Sequence, residues 1–317
     1  MAVFDYALPD LKKYQGLNPK PEDFDEYWDK ALQEMQDLDP RVEIKPAAFQ
    51  IKGIKCNDLY FSATGGSRVY ARYLQPPAGS KPQPAICFFH GYGGHSGDWS
   101  RYLHYALYGF HVFALDVRGQ AGLSHDTRPV RGNTLHGHIV RGLQASPEDL
   151  FYRHVFLDTA LLVKIAMAQD NVDSGKIYAS GGSQGGGLTL ACAALAPAVK
   201  KIAYKFPFLA DYKRVWELDL CENAYKELKD FFRYADPRQE KRDDIFNKLG
   251  YIDIQHLAVR VKAEVLHGIG LADTICPPST QFAVYNKITS VKQMRIYPEY
   301  GHEELPGFND ETFSFFT

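Results

Sequence analysis

A serine set among glycines, Gly181-Gly182-Ser183-Gln184-Gly185-Gly186-Gly187, is the strongest chemical signal in this chain. Residues 176–180 before it read as a short strand and residues 184–195 after it as a helix. The G-x-S-x-G pattern therefore falls on a strand-to-helix turn. Gly181 and Gly185 let strand and helix approach closely, and Gly186 and Gly187 remove further bulk. The Ser183 hydroxyl then stands at a helix N-terminus, where free N–H groups and the helix dipole favour a developing negative charge. That is the setting of a nucleophile.

A serine nucleophile needs a base, and on such an elbow the chain order is serine, acid, histidine. His256, His267 and His302 follow Ser183. His267 lies inside a strand expected over 263–268, and His256 ends a charged stretch where a surface role is expected. His302, in Tyr300-Gly301-His302-Glu303, comes just after the last expected strand, 293–297, and is the expected base. Asp273 falls in the loop after 263–268 and is the expected acid. Its task there is to fix the imidazole tautomer and stabilise the imidazolium, without taking the proton. Two backbone N–H groups should form an oxyanion hole. One belongs to Gln184, the residue after the nucleophile. The other, by position, belongs to Tyr92 in the glycine-rich turn Phe88-Phe89-His90-Gly91-Tyr92-Gly93-Gly94, where His90 has a structural role. An acyl pocket closed by Tyr92 and Phe206-Pro207-Phe208 would hold a methyl group and little more.

These residues need a sheet to converge on. Residues 85–89 and 110–115 are nearly continuous apolar runs ending in Gly, Asp or His, as parallel strands buried on both faces require. Further strands are expected over 176–180, 201–206, 263–268 and 293–297, alternating with helices over 147–169, 184–195 and 278–287. Antiparallel-looking strands precede them at 42–51, 58–62 and 68–74. A helix over 21–38 carries Phe24, Tyr27, Trp28, Ala31, Leu32 and Met35 on one stripe. This alternation predicts one doubly wound, mostly parallel α/β domain over 1–317 with antiparallel N-terminal strands. Residues 211–257 interrupt it. Their charged share is nearly twice the 23% of the whole chain, and they read as a surface helical insertion between core strands.

Composition narrows the partners. With 36 Lys plus Arg against 38 Asp plus Glu, the formal charge is −2, too weak a field to predict nucleic acid or an anionic membrane. The 5 cysteines form no CxxC pair, which argues against a zinc site or disulfide framework and fits a reducing compartment. No segment is apolar over the ~20 residues a bilayer demands, and the first residues lack a signal-peptide pattern, so a cytoplasmic protein is expected. His125, His136 and His138 lack further ligands at suitable spacing, and neither metal nor cofactor is expected.

Four segments taken together are similar to the cephalosporin C deacetylase and acetyl xylan esterase family, carbohydrate esterase family seven. They are Gly181-Gly182-Ser183-Gln184-Gly185-Gly186, Asp116-Val117-Arg118-Gly119-Gln120, Asp273-Thr274-Ile275-Cys276-Pro277-Pro278-Ser279-Thr280 and Gly301-His302-Glu303. The resemblance implies an α/β-hydrolase that removes acetyl groups from sugar hydroxyls and from the acetoxymethyl group of cephalosporins. It assigns the triad to Ser183, Asp273 and His302 and the oxyanion hole to Tyr92 and Gln184. It also implies a homohexamer with its active sites facing an internal chamber. Arg118 and Gln120 are expected to support the site, Arg118 through an ion pair with Glu303 that orders the His302 loop. A general short-chain carboxylesterase is the nearest alternative. A peptidase of the prolyl-oligopeptidase type would carry propeller repeats, and none is present. A non-catalytic binding protein would have no use for an intact triad.

Overall fold

The computed structural model describes residues 5–129 and 138–317. Three strands open the chain, β1 (Glu43–Pro46), β2 (Lys55–Ser62) and β3 (Arg68–Gln75). They are followed by β4 (Gln83–Phe89), β5 (His111–Leu115), β6 (Val172–Gly182), β7 (Val199–Lys205), β8 (Glu264–Gly270) and β9 (Lys292–Tyr297). All join one sheet in the order β1-β2-β3-β5-β4-β6-β7-β8-β9. Pairings from β1 to β3, and of β3 with β5, are antiparallel; those from β5 through β9 are parallel. This is the doubly wound α/β arrangement of an α/β-hydrolase.

The apolar runs account for the strand positions. β5 is buried at every residue, as a strand covered on both faces must be, whereas β2 buries Leu59 and Phe61 and half-exposes Asp58, Tyr60 and Ser62. Two expectations shift. The strand expected over 42–51 stops at Pro46, because the Gln50 side chain bonds the Ala47 and Cys56 carbonyls and folds the chain back locally. β6 begins four residues earlier than expected, pairing from Val172 to β4 across a bulge.

Helices cover the sheet. α1 (Leu8–Leu11), α2 (Phe24–Gln36), α3 (Leu103–Leu107), α4 (Phe151–Met167) and α5 (Gln184–Leu195) come before β7. Between β7 and β8 lie α6 (Tyr212–Glu217), α7 (Lys226–Tyr234), α8 (Arg242–Leu249) and α9 (Ile254–Leu257). α10 (Pro278–Lys287) and α11 (Phe308–Phe316) complete the set. The stripe read on α2 is buried except for Leu32, which is half-buried, and Trp28 stacks on Phe156 of α4. α5 is buried along its whole length and packs on α4, β6 and β7. Among the described residues no helix is long and apolar enough to cross a membrane.

The strand order reverses at β4, which has β5 on one side and β6 on the other. Loops leaving the carboxyl ends of β4 and β6 therefore diverge and open a crevice, the place where open α/β sheets bind ligands. Tyr92 follows β4, Ser183 follows β6, Asp273 follows β8 and His302 follows β9. The sheet thus delivers all four to one edge.

Candidate active site

Ser183 sits between β6 and α5 with φ 57° and ψ −123°. A non-glycine residue so placed costs about 1–3 kcal/mol, so the surroundings must hold it. They do so from both sides. The Ser183 N–H donates to the Lys205 carbonyl at 3.1 Å, and its carbonyl accepts the N–H groups of Gly187 and Phe208 at 3.1 and 3.0 Å. The close approach leaves no space for a side chain at Gly185, where a Cβ would lie 2.1 Å from the Phe89 carbonyl oxygen.

The hydroxyl points to His302, with Oγ 3.0 Å from Nε2. On the other side of the ring, Nδ1 lies 2.9 Å from Asp273 Oδ2. With its proton on Nδ1, the imidazole donates to the carboxylate and leaves Nε2 as the acceptor facing Ser183. Asp273 is fully buried and its remaining lone pairs are occupied. Oδ1 accepts the N–H groups of Ile275 and Cys276 at 2.9 and 2.8 Å, and Oδ2 accepts Gln281 Nε2 at 3.3 Å. Gln281 was not singled out by the sequence, and nothing in the pattern of α10 marks it. His302 and Asp273, with Cys276, also bring three possible metal-ligand atoms within 4.8 Å. Both imidazole nitrogens already have partners, and burial pushes the Cys276 thiol well above its ordinary range, away from the thiolate a metal takes. His136, part of the weighed histidine group, lies outside the described residues.

Gln184 opens α5, so its N–H is among those a helix leaves without an internal partner. Its side chain was not anticipated. It is fully buried and exchanges two hydrogen bonds with Gln120, Nε2 to Oε1 at 2.7 and 3.0 Å. Tyr152 on α4 donates to the same Gln184 oxygen at 2.8 Å, and Gln120 Oε1 accepts the Gly93 N–H at 2.9 Å. The two amides thereby tie the turn after β4 to the start of α5. His90 holds that turn from beneath, with Nδ1 on the Gly91 carbonyl and Nε2 accepting the Val117 N–H; burial pushes its pKa down, which keeps the ring neutral.

The expected Arg118–Glu303 pair does not form. Arg118 is fully buried and grips Asp158 of α4 as a fork, Nε to Oδ2 at 2.7 Å and Nη2 to Oδ1 at 2.5 Å, while Nη1 donates to the Thr64 carbonyl and Ser67 Oγ. The side chain turns under the sheet edge toward α4, away from the β9 loop. Glu303 is exposed and accepts the N–H of Gly301 at 3.0 Å, so it braces its own turn. His256 is a second correction. It is buried, with Nε2 3.1 Å from the Pro19 carbonyl and its ring edge on Phe24, because α9 tucks under the N-terminal segment. His267 stays in the core as expected, stacked on Tyr204 and bonded to Gln281.

The wall beside Ser183 is aromatic. Phe206, with φ 35°, sets its ring 4.4 Å from the His302 ring. Phe208 is fully buried; it backs Tyr92 at 5.5 Å edge-to-face and packs on Tyr225 at 4.4 Å. Pro207 lies buried between them. The Tyr92 hydroxyl leaves this wall and donates to Glu227 of α7 at 2.9 Å. The 211–257 segment is therefore more than a solvated surface layer, since α7 buries Glu227, Leu228 and Phe232.

Comparison with known proteins places this geometry. The acetyl xylan esterase family model matches residues 1–317. The fold superposes on acetyl xylan esterase 1 from Thermoanaerobacterium sp. JW/SL YS485 with a TM-score of 0.97 at 51% identity, covering 98% of both chains. It superposes on the acetyl xylan esterase from Paenibacillus sp. R4 with a TM-score of 0.93 at 32% identity, covering 98% of this chain and 99% of that one. The acetyl esterase Axe7A of Xylanibacter ruminicola is 25% identical over 296 residues, 92% of this chain; the chain spans 65% of the length of that relative. The chain belongs to the acetyl xylan esterase family of carboxylic ester hydrolases.

Proposed function

We propose that the chain is a serine esterase that removes acetyl groups from small acetylated carbohydrates, xylo-oligosaccharides above all, through an acetyl-enzyme. The observation that carries this reading is the unbroken hydrogen-bond chain Asp273–His302–Ser183 in a member of this family. His302 Nε2 takes the Ser183 proton as Oγ adds to the acetyl carbonyl carbon. The oxygen that becomes negative is met by the backbone N–H groups of Gln184 and Tyr92. His302 then returns the proton to the departing sugar alcohol, leaving acetate esterified to Ser183. A water enters, gives one proton to His302 and adds to the acyl carbon, and acetate leaves as Ser183 recovers that proton.

Tyr92 and Phe206 line the acyl side, with Phe208 and Pro207 behind them. In this reading the acyl side holds a methyl group and little more, and overpacking such a site costs ~1–3 kcal/mol, so butyrate esters should react about 5–150-fold less well than acetate esters. The acetoxymethyl group of cephalosporins presents the same acyl part and belongs to the proposed substrate range. A homohexamer is part of the proposal; the edge strand β1 and the residues on either side of it expose Val42, Ile44, Phe49 and Ile51, apolar surface of the kind interfaces cover. Five free, buried cysteines support a cytoplasmic setting.

Acetate release from p-nitrophenyl acetate and acetylated xylo-oligosaccharides, measured for the wild type beside Ser183→Ala, tests the reading. Hydrolysis by the wild type and none by the variant is expected. A Ser183→Ala protein that still turns over, or butyrate esters cleaved as fast as acetate, would overturn it.

A further inference from the structure

Three chain segments meet at one buried carboxylate. Glu227, from the insertion between β7 and β8, accepts the Tyr92 hydroxyl on Oε1 at 2.9 Å and the N–H groups of Ile139 and Val140 on Oε2 at 2.8 and 3.2 Å. The His138 backbone N–H meets the Tyr92 hydroxyl as well. Its position on α7 explains how it gets there. Lys226, Lys229 and Asp230 face solvent, while Glu227 and Leu228 begin the stripe that continues through Phe231 and Phe232 into the core. Burial pushes the carboxyl up to about 7, and the three bonds above only partly offset that cost. An amide side chain would avoid burying a charge and still meet the two N–H groups. What the carboxylate supplies instead is a fixed acceptor at the tip of the Tyr92 ring.

We infer that Glu227 is a positioning residue for the acyl side of the site: through the Tyr92 hydroxyl, the insertion sets the ring that limits acyl length and, on the same residue, the N–H proposed for the oxyanion hole. The ring meets Phe208 at 5.5 Å and the His138 ring at 5.3 Å, both edge-to-face. Such apolar contacts are non-directional, whereas the bond to Glu227 fixes the hydroxyl end of the ring at one point. Losing the bond lets the ring retreat, which enlarges the acyl side and loosens the amide at once. Acetate esters then suffer, while butyrate esters gain space and lose less. This inference rests on the acetyl-esterase reading above.

The test compares kcat/KM for p-nitrophenyl acetate and butyrate in Tyr92→Phe, Glu227→Gln and the double variant. Tyr92→Phe deletes only the hydroxyl, so it tests the inference even where a Glu227 variant fails to fold. A glutamine at 227 keeps its carbonyl oxygen toward the two N–H groups of Ile139 and Val140 and turns its NH2 group to Tyr92. The acetate-over-butyrate preference should fall about three- to tenfold in Tyr92→Phe, the scale of one hydrogen bond, and by less in Glu227→Gln, where the NH2 group can still donate to the Tyr92 oxygen. The loss should sit mainly in kcat on acetate, and the double variant should show no further fall in preference. A preference unchanged in Tyr92→Phe, or falls that multiply in the double variant, would overturn the inference. Either result, alongside a wild type whose activity depends on Ser183, leaves the esterase reading standing; a wild type inert on acetate would remove both.

Discussion

Asp273→Asn is the sharpest perturbation the geometry offers. An amide in that position has one acceptor oxygen and one donor NH2 where the carboxylate has two acceptors. Oδ1 faces two fixed backbone donors, Ile275 and Cys276 N–H at 2.9 and 2.8 Å, whereas Oδ2 faces His302 Nδ1 at 2.9 Å and Gln281 Nε2 at 3.3 Å. The amide oxygen must therefore take the side of the two N–H groups, and the NH2 group must face His302. Nδ1 can meet that donor only as an acceptor, which moves the ring proton to Nε2. Nε2 then has no lone pair for the Ser183 hydroxyl 3.0 Å away. The site keeps its shape and loses its base. In serine proteases the same exchange costs ~10⁴ in kcat, about 5.5 kcal/mol of barrier. We expect a loss of roughly 10³–10⁴ in kcat on p-nitrophenyl acetate, with KM little changed and the thermal midpoint close to that of the wild type. A variant retaining a tenth or more of the activity would refute the reasoning, because another group would have to be fixing the tautomer of His302.

Removing Arg118 alone leaves the Asp158 carboxylate buried without its cation, so Arg118→Ala should lose about 3–5 kcal/mol in urea unfolding. Arg118→Met with Asp158→Leu should recover much of that loss, and Glu303→Ala should stay within about 0.5 kcal/mol of the wild type. Glu227 and Asp253 are both pushed up to about 7 by burial, Asp253 with the neighbouring Asp211 adding to the shift. Between the ordinary carboxyl range and pH ~7 the unfolded chain has released protons that the folded chain still holds, so their contribution to stability falls as pH rises through that window. Glu227→Gln should flatten the decline in the urea midpoint between pH 5 and 7 without abolishing it, since Asp253 remains. An unaltered slope would contradict a buried, proton-holding Glu227.

The residues legible from sequence were those whose chemistry dictates their local backbone. A serine at φ 57° needs glycine neighbours and a strand-helix junction, and both are written within seven consecutive residues. The order of strands β6, β8 and β9 then left one loop for the acid and one for the base, and His302 and Asp273 stand there within hydrogen-bond reach of each other. Arg118 shows where such reasoning stops. Its place after β5 puts it near the same sheet edge as Glu303, but sequence spacing says nothing about whether a long side chain turns over the edge or under it. The Thr64 carbonyl and Ser67 hydroxyl stand beside Asp158, so four of the five guanidinium N–H groups find acceptors there.

Glu227 was harder still, because its neighbours in sequence are charged like itself. On a helix carrying Lys226, Lys229 and Asp230, periodicity reports which face is apolar and assigns a charge at its border to water. The border position is what allows the opposite outcome. A glutamate one residue before Leu228 can be carried into the core by the apolar stripe it adjoins, provided donors await it, and three do. Two of those donors come from a segment about 90 residues earlier in the chain and the third from the turn after β4. No local pattern can encode such a meeting; it exists only once the sheet has brought the turn after β4 beneath the insertion. The insertion thus gains, from a single buried carboxylate, a direct hold on Tyr92, the residue proposed to face the acyl group.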